Sequence, residues 1–203
     1  YQFEANAGEK LLYAGLRAGV PLPFECATGT CGSCKARVNQ GDVDEGWPEA
    51  PGKERFKAAK REILMCQCSA QSDCSLSVPT KIAVFRDDDI NPDHHVGLIT
   101  QYDMLTSDVL RFEVELPADL SFHAGQFFVL QVPGVNGFRA YSMVNYSTGT
   151  NTLEFIIKQN PSGALSKWMF DSDRSNVQID LFGPLGRATF HPDESHDLFM
   201  IAG

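Results

Sequence analysis

The sequence predicts a chain with a small α+β domain, then a six-stranded antiparallel β-barrel, then the start of an α/β domain. Three observations support this prediction. All six cysteines lie between Cys26 and Cys74. Six short segments of alternating or apolar residues follow between positions 96 and 181, which is typical of an antiparallel barrel. The apolar run Asp197–Gly203 is typical of a buried parallel strand.

The composition is that of an ordinary globular protein. Of the 203 residues, 43% are hydrophobic and 21% are charged. No stretch approaches the roughly 18 consecutive apolar residues of a membrane span, and the chain does not open with a secretory signal pattern. The formal net charge is −9 and no basic stripe is present. We therefore expect a cytoplasmic protein that binds neither membranes nor nucleic acid.

The small domain is predicted to occupy residues 1–78. Residues 10–19 place apolar side chains at helical spacing, and their glycines would let the helix approach a sheet closely. The other predicted elements are a strand at 35–38, a short polar helix at 53–61 and strands at 63–68 and 74–78. Such a domain has little regular core, which suits a site where a bound cluster helps to hold the fold.

A polar linker is predicted at residues 79–95. It contains the acidic run Asp87–Asp89 and the pair His94-His95, all of which we expect at the surface. The barrel follows at 96–191. Its strands are predicted at 96–100, 109–115, 126–132, 139–145, 153–158 and 177–181, with one helix at 164–170.

The spacing of the first cysteines predicts a metal cluster. Cys26, Cys31 and Cys34 form the pattern C-x4-C-x2-C, which is that of a plant-type [2Fe–2S] site. Gly29 and Gly32 allow the positive φ angles that a tight loop around a cluster requires. Zinc and a disulfide framework are the alternatives. Structural zinc sites usually show two paired cysteine clusters, whereas one C-x2-C is present here.

A fourth ligand must come from a separate segment, and Cys66 and Cys68 both qualify. Leu64-Met65-Cys66 resembles the Leu-x-Cys motif that closes the site in ferredoxins, so Cys66 is the predicted ligand and Cys68 its competitor. Cys68 and Cys74 are then expected to be free thiols. Residues 1–78 as a whole resemble the plant-type ferredoxin fold, in which a β-grasp sheet packs on one helix.

A second group of residues has the chemistry to hold a flavin. In the R-x-Y-S segment, Arg139 can pair with a pyrophosphate, Tyr141 can stack on the ring system, and Ser142 can hydrogen-bond near its reactive nitrogen. Gly163–Ser166 opens the predicted helix, whose N-terminal amides can bind the same anion. Each motif alone is more often structural, but their order and spacing together favour a cofactor.

Residues 96–191 resemble the FAD-binding barrel of the ferredoxin–NADP reductase superfamily. The resemblance implies FAD contacts from three segments, comprising Arg139, Ala140, Tyr141, Ser142, Ile156, Ile157, Lys158, Gly163, Ala164, Leu165 and Ser166. Residues 192–203 resemble the first strand of that superfamily's nicotinamide-binding domain. We therefore expect this chain to be part of a longer reductase whose NADH site lies mostly elsewhere.

The order of these parts resembles the reductase component of bacterial multicomponent oxygenases. Segments Gly46–Gly52 and Met65–Cys68 are similar to the toluene branch of the soluble diiron monooxygenase reductases. The resemblance implies that electrons pass from NADH through FAD and a [2Fe–2S] cluster to a terminal oxygenase, with no side chain as catalytic acid, base or nucleophile. The alternatives are a reductase for a Rieske ring-hydroxylating dioxygenase and, in another class, an electron carrier with a flavin-free docking barrel.

Overall fold

The computed structural model describes residues 1–54, 56–80, 82, 90–146 and 148–189. The acidic run at 87–89 and the predicted strand at 197–203 lie outside these residues. In chain order the elements are α1 Leu11–Arg17, β1 Lys35–Gln40, β2 Val43–Asp44, β3 Glu62–Leu64, β4 Ser69–Ala70, β5 Ser75–Ser77, β6 Asp93–Met104, β7 Val109–Ser121, β8 Phe127–Gln131, β9 Arg139–Ser142, β10 Thr148–Lys158, α2 Ala164–Asp171 and β11 Gln178–Leu185.

The N-terminal domain packs helix α1 beside a three-stranded antiparallel sheet of order β3-β1-β5, with β2 and β4 forming a separate pair. The predicted helix is confirmed, and residues 11–16 of it are buried. Gly15 permits a close approach to a loop and not to a sheet. A Cβ at this position would lie 2.4 Å from Cδ1 of Leu22, so a larger side chain would displace that neighbour.

Two predictions for this domain are wrong. The polar helix expected at 53–61 is replaced by two short 3-10 turns, Pro51–Lys53 and Ala58–Lys60. No apolar stripe favours a longer helix there, and the Lys57 amide instead donates to the Glu62 carboxylate at 2.7 Å. The strand expected at 63–68 ends at Leu64, because the amides of residues 67 and 68 turn back to the Leu64 carbonyl at 2.9 and 3.1 Å.

The turn that follows β3 supports the start of helix α1. The first amides of a helix have no partner within the helix. In this domain the Leu11 amide donates to the Cys68 carbonyl at 2.8 Å, and the Leu12 amide donates to the Met65 carbonyl at 3.0 Å. The Lys10 ammonium also donates to the Gln67 carbonyl at 2.8 Å. Helix α1 and the segment around Cys66 are therefore fixed to each other by backbone hydrogen bonds.

The second domain is a curled antiparallel sheet of order β10-β7-β6-β11-β8-β9, which confirms the predicted fold class and all six predicted strands. Its interior holds the stacked pair Phe112 and Phe155, with ring centroids 5.1 Å apart. The edge strands meet where the Val144 amide donates to the Glu154 carbonyl at 2.9 Å. Strand β6 begins at Asp93, within the segment predicted as a linker.

Helix α2 covers one part of this sheet. Leu165 and Met169 are four positions apart, so they lie on one face of the helix, and both are buried in the core of the sheet. The Tyr102 hydroxyl donates to the Met169 carbonyl and ties β6 to the helix. Neither helix in the described ranges reaches the length and apolar character that crossing a lipid bilayer demands.

The two domains share an apolar interface. Val129, Phe182 and Leu185 of the second domain belong to the same buried cluster as the core of the first. His94 lies at this interface and stays exposed on one side, whereas His95 is half-buried, which corrects the expectation that both are plain surface residues. His94 places Nε2 3.0 Å from the Glu9 carboxylate, and its ring lies 4.7 Å from that of Phe182. Burial lowers the pKa of His95, and its ring packs edge-on against a phenylalanine of β8.

Candidate metal centre and flavin site

The cysteine loop between α1 and β1 turns sharply around its sulfur atoms. Its backbone takes positive φ angles at Ala27, Gly29 and Gly32, of 56°, 92° and 83°. The amides of residues 28 and 31 lie 3.5 and 3.4 Å from Sγ of Cys26, and the amide of residue 33 lies 3.5 Å from Sγ of Cys31. Amide donors around sulfur favour thiolates, which are the form that binds iron.

These amides affect the acidity of Cys26. Burial alone would raise its pKa, but hydrogen bonds from the amides of Thr28, Thr30 and Cys31 and from the Cys31 side chain bring the pKa down to about 6. Along the loop, exposure falls from Cys31, which is exposed, to Cys34, which is buried. In this loop Cys26 therefore favours the thiolate form, and the part of the loop around Cys31 is open to solvent.

The structure brings Cys66 and not Cys68 beside the loop. Sγ of Cys66 lies 3.2 Å from Sγ of Cys34, and Nε2 of Gln67 lies 3.5 Å from the Cys66 sulfur. Hydrogen bonding with Cys34 lowers the pKa of Cys66 despite its burial. Cys68 follows the turn, where burial and then the charge of Glu45 raise its pKa to about 12. Cys34 and Cys66 thus form a close pair of thiols, and thiols are the donors that bind iron–sulfur clusters. Among the described residues, no three potential ligands lie close enough together to hold a metal ion.

The segment around Gly52 closes over this loop and is not among the predicted site residues. The Gly52 amide donates to the Gly29 carbonyl at 2.9 Å. A Cβ on Gly32 would lie 2.8 Å from the Gly52 oxygen, and a Cβ on Gly52 would lie 2.8 Å from the Gly32 nitrogen. The available signal was the Pro51-Gly52 pair, because glycine is required where two backbones approach this closely.

The residues predicted to hold a flavin lie along the seam where the second domain closes. Strands β9 and β10 are the two edges of its sheet. The bond from Val144 to Glu154 joins these edges, and continuing its antiparallel register would set Ser142 near Ile156 and Ala140 near Lys158. Residues 163–166 come shortly after β10 in the chain. Two of the three predicted segments therefore belong to the edge strands that the bond from Val144 to Glu154 joins.

Side chains alternate along β9. Arg139 and Tyr141 are half-buried on one face, while Ala140 and Ser142 are exposed on the other. Tyr141 packs against the core of the second domain, and burial raises the pKa of its hydroxyl. The Arg139 guanidinium donates to the neighbouring Phe138 carbonyl at 2.9 Å, which holds it close to the strand.

Apolar side chains lie exposed along the same seam. Val144 is 50% exposed, Ile156 is 44% exposed and Tyr146 is 48% exposed. Covering such surface with an apolar ring would be favourable by about 25 cal/mol per Å². This surface, with an arginine and a helix terminus nearby, fits a molecule that has both a flat ring system and a pyrophosphate.

The start of helix α2 offers backbone amides. Gly163 occupies the N-cap position with an extended backbone and has no side chain to cover the first turn. The amides that follow are therefore available to an anion. Ser166 is buried, and its Oγ accepts a hydrogen bond from the Asn160 amide at 2.7 Å. This serine thus holds the turn before the helix in addition to any contact that it makes with a ligand.

Comparison with known families identifies both domains. Residues 1–71 match a 2Fe-2S iron-sulfur cluster binding domain, and residues 97–190 match an oxidoreductase FAD-binding domain. The chain belongs to the oxidoreductases that combine these two domains. The predicted family and cofactors are thereby confirmed. The match of the second domain contradicts the alternative of a flavin-free docking barrel.

The relatives of this ferredoxin–FAD chain are reductase components. It is 34% identical over 202 residues to the ferredoxin–NAD(+) reductase component of the alkene monooxygenase system of Xanthobacter autotrophicus, covering 99% of the chain and 61% of the relative. It is 29% identical over 207 residues to the reductase component DmpP of phenol 2-monooxygenase of a Pseudomonas species, covering 98% of the chain and 56% of the relative.

Solved structures show the same fold. The ferredoxin reductase in carbazole 1,9a-dioxygenase matches with a TM-score of 0.80 and 33% identity, over 92% of this chain and 58% of that one. The Amycolatopsis cytochrome P450 reductase GcoB matches with a TM-score of 0.72 and 29% identity, over 97% of this chain and 59% of that one. The ferredoxin–FAD chain thus spans about 60% of the length of these relatives.

Proposed function

We propose that the ferredoxin–FAD chain is the electron-transfer part of an NADH-dependent reductase that supplies a terminal oxygenase. The observation that carries this proposal is the presence of a cluster site and a flavin site on two domains joined by a buried aromatic interface. A flavin accepts two electrons as a hydride and releases them singly, whereas a [2Fe–2S] cluster carries one. The two sites in series therefore suit a donor of electron pairs and an acceptor of single electrons.

The proposed cluster ligands are Cys26, Cys31, Cys34 and Cys66. The contact between the sulfurs of Cys34 and Cys66 supports the fourth ligand, and the amides around Cys26 support the loop as a thiolate site. Since Cys31 is exposed, the loop presents its outer end to the solvent. An electron acceptor would approach the protein at this end.

The proposed flavin contacts come from the seam of the second domain. Arg139 and the first amides of α2 would hold the pyrophosphate, because both present N–H donors and positive charge. Tyr141 and Ser142 would contact the ring system, since both lie in β9 beside the exposed apolar surface. The backbone of residues 156–158 and of 163–166 would line the rest of the site.

The proposed partner is a monooxygenase of the soluble diiron type, and the names of the alkene and phenol monooxygenase relatives support it. A Rieske dioxygenase is the second candidate, because the carbazole 1,9a-dioxygenase reductase is similar to the chain to the same degree. Either partner would be met in the cytoplasm, where NADH is available. We expect no contact with nucleic acid or membranes, given the acidic charge of −9.

The experiment that tests this proposal uses the purified full-length protein. NADH should bleach the flavin absorption and then the cluster absorption under anaerobic conditions. Product formation should then follow when a purified diiron monooxygenase or a Rieske dioxygenase is added, and the component that turns over identifies the partner. A protein that NADH leaves oxidised, or that reduces neither oxygenase, would contradict the proposal.

A further inference from the structure

Tyr13 of helix α1 lies between the two domains. Its side chain is buried, with 1% of the residue exposed. Its ring stacks on Phe182, with centroids 4.4 Å apart and planes inclined by 18°. The same ring meets Phe138 edge-on at 5.3 Å, with planes at 89°. Phe138 directly precedes Arg139, so Tyr13 contacts the segment that leads into the R-x-Y-S strand.

The hydroxyl of Tyr13 reaches the cysteine loop. It donates a hydrogen bond of 2.9 Å to the Ala27 carbonyl, in a buried setting. Ala27 directly follows Cys26, and its φ of 56° places a residue with a side chain in the left-handed region. Such a conformation costs about 1–2 kcal/mol and persists where neighbouring groups hold it. The Tyr13 hydroxyl is one such group.

Helix α1 contacts the other cysteine segment as well. The amides of Leu11 and Leu12 bond to the carbonyls of Cys68 and Met65, which flank Cys66. One short helix thus contacts both cysteine segments, and Tyr13 connects that helix to the second domain. An aromatic residue that served only as filling would not need a directed bond to the loop, since phenylalanine would fill the same space.

We infer that Tyr13 is a positioning residue for electron transfer between the two sites, fixing the cysteine loop relative to the strand that carries the flavin contacts. This inference rests on the proposed function. In the step concerned, one electron leaves the reduced flavin and one arrives at the cluster, with no bond made or broken. Tyr13 keeps its proton throughout and is neither oxidised nor reduced.

The variant Tyr13→Phe removes the hydroxyl and keeps the ring. A buried carbonyl that loses its donor costs about 1 kcal/mol, which corresponds to about a fivefold change in the ratio of ordered to disordered loop. We therefore expect the cluster of the full-length holoenzyme to be reduced more slowly after NADH is mixed in, by a factor of up to about five. The preceding reduction of the flavin should keep its wild-type rate, because Tyr13 is not among the proposed flavin contacts.

Two further variants sharpen the test. Tyr102→Phe is a matched control, because it also removes a hydroxyl that donates to a backbone carbonyl, but within the second domain. It should leave both rates unchanged. Phe138→Leu removes the partner of Tyr13 on the second domain, and it should slow cluster reduction while leaving flavin reduction unchanged. This variant keeps the inference testable if Tyr13→Phe proves hard to purify.

A second readout does not depend on turnover. Hydrogen–deuterium exchange of the amides at residues 27–29 should be about fivefold faster in Tyr13→Phe than in the wild type or in Tyr102→Phe. Iron, flavin and the spectrum of the reduced cluster should stay unchanged. Cluster reduction at the wild-type rate, or loss of the cluster itself, would overturn a positioning role. A wild-type protein that NADH does not reduce would instead refute the proposed function.

Discussion

Cys66 and Cys68 are two residues apart and lie in different surroundings. The turn after β3 places Cys66 against Cys34, and it places Cys68 near Glu45. We predict that Cys66→Ser abolishes or grossly alters the visible absorption of the cluster and that Cys68→Ser preserves it. The check is the absorption and iron content of each purified variant. Loss of the cluster in Cys68→Ser with retention in Cys66→Ser would reverse the ligand assignment.

Gly32 combines a positive φ with a close backbone contact. Its φ is 83°, and an added Cβ would lie 2.8 Å from the Gly52 oxygen. We predict that Gly32→Ala destabilises the cysteine loop by about 1–3 kcal/mol, seen as a lower urea midpoint for loss of cluster absorption.

Gly8→Ala is the matched control for Gly32→Ala. Gly8 also has a positive φ, of 77°, but an added Cβ there meets no described atom within 4 Å. The loss of stability in Gly8→Ala should therefore come from the strained backbone conformation alone. Equal midpoints for the two variants would show that the contact between Gly32 and Gly52 contributes nothing to the stability of the loop.

Individual site residues can be predicted from the sequence where their spacing forms a known pattern. The three loop cysteines and the R-x-Y-S segment are found because their own neighbours in sequence carry the signal. Tyr13 and Gly52 cannot be predicted in this way. The role of Tyr13 depends on its contact with Phe182, and that of Gly52 on its contact with Gly32, both distant in the chain. No local pattern distinguishes them from other buried tyrosines or loop glycines.

Among the elements, strands of the second domain are predicted well because their alternation is strong. In β7, Leu110, Phe112 and Val114 point into the core and alternate with less buried residues. The predicted helix at 53–61 is wrong because its pattern is polar, and turn residues and the Glu62 carboxylate satisfy the backbone instead. The strand expected at 63–68 ends early, and a turn replaces its second half. The carbonyls of this turn accept hydrogen bonds from the first amides of helix α1.

Helix α1 and strand β6 are linked by charges around Glu9. Burial would raise the pKa of Glu9, but bonds from Arg17, the Asn6 amide and His94 together lower the pKa below the ordinary 4.5. Because the folded-state pKa is depressed, the ionised carboxylate stabilises the protein at pH above the ordinary value. This contribution is lost as the pH falls through the folded-state pKa.

We predict that Glu9→Gln is less stable than the wild type at pH 7, by about 1–2 kcal/mol, because it loses charged hydrogen bonds. The difference should shrink as the pH drops below 4.5, where the wild-type carboxyl becomes protonated as well. Urea midpoints at several pH values measure both effects. The exposed Glu49→Gln should show neither, and a Glu9→Gln difference that stays constant with pH would contradict the ionic account.

The arrangement of the two domains relative to each other cannot be predicted from the sequence. The domains themselves follow from composition and motif order, but their contact depends on a histidine in a predicted linker and on aromatic rings from three distant segments. Because the interface is apolar and aromatic, it favours one fixed arrangement over free relative motion of the domains. A fixed arrangement would keep the two proposed cofactor sites at a constant separation.

We infer that this chain holds two cofactors at separate sites and connects them for electron transfer. The most direct test is an anaerobic reductive titration of the full-length protein, followed by visible absorption and by EPR of the reduced cluster. We predict one FAD and one [2Fe–2S] cluster per chain, with Arg139→Ala losing FAD alone and Cys66→Ser losing the cluster alone. A protein that binds only one of the two cofactors, or whose cluster stays oxidised while the flavin is reduced, would contradict this inference.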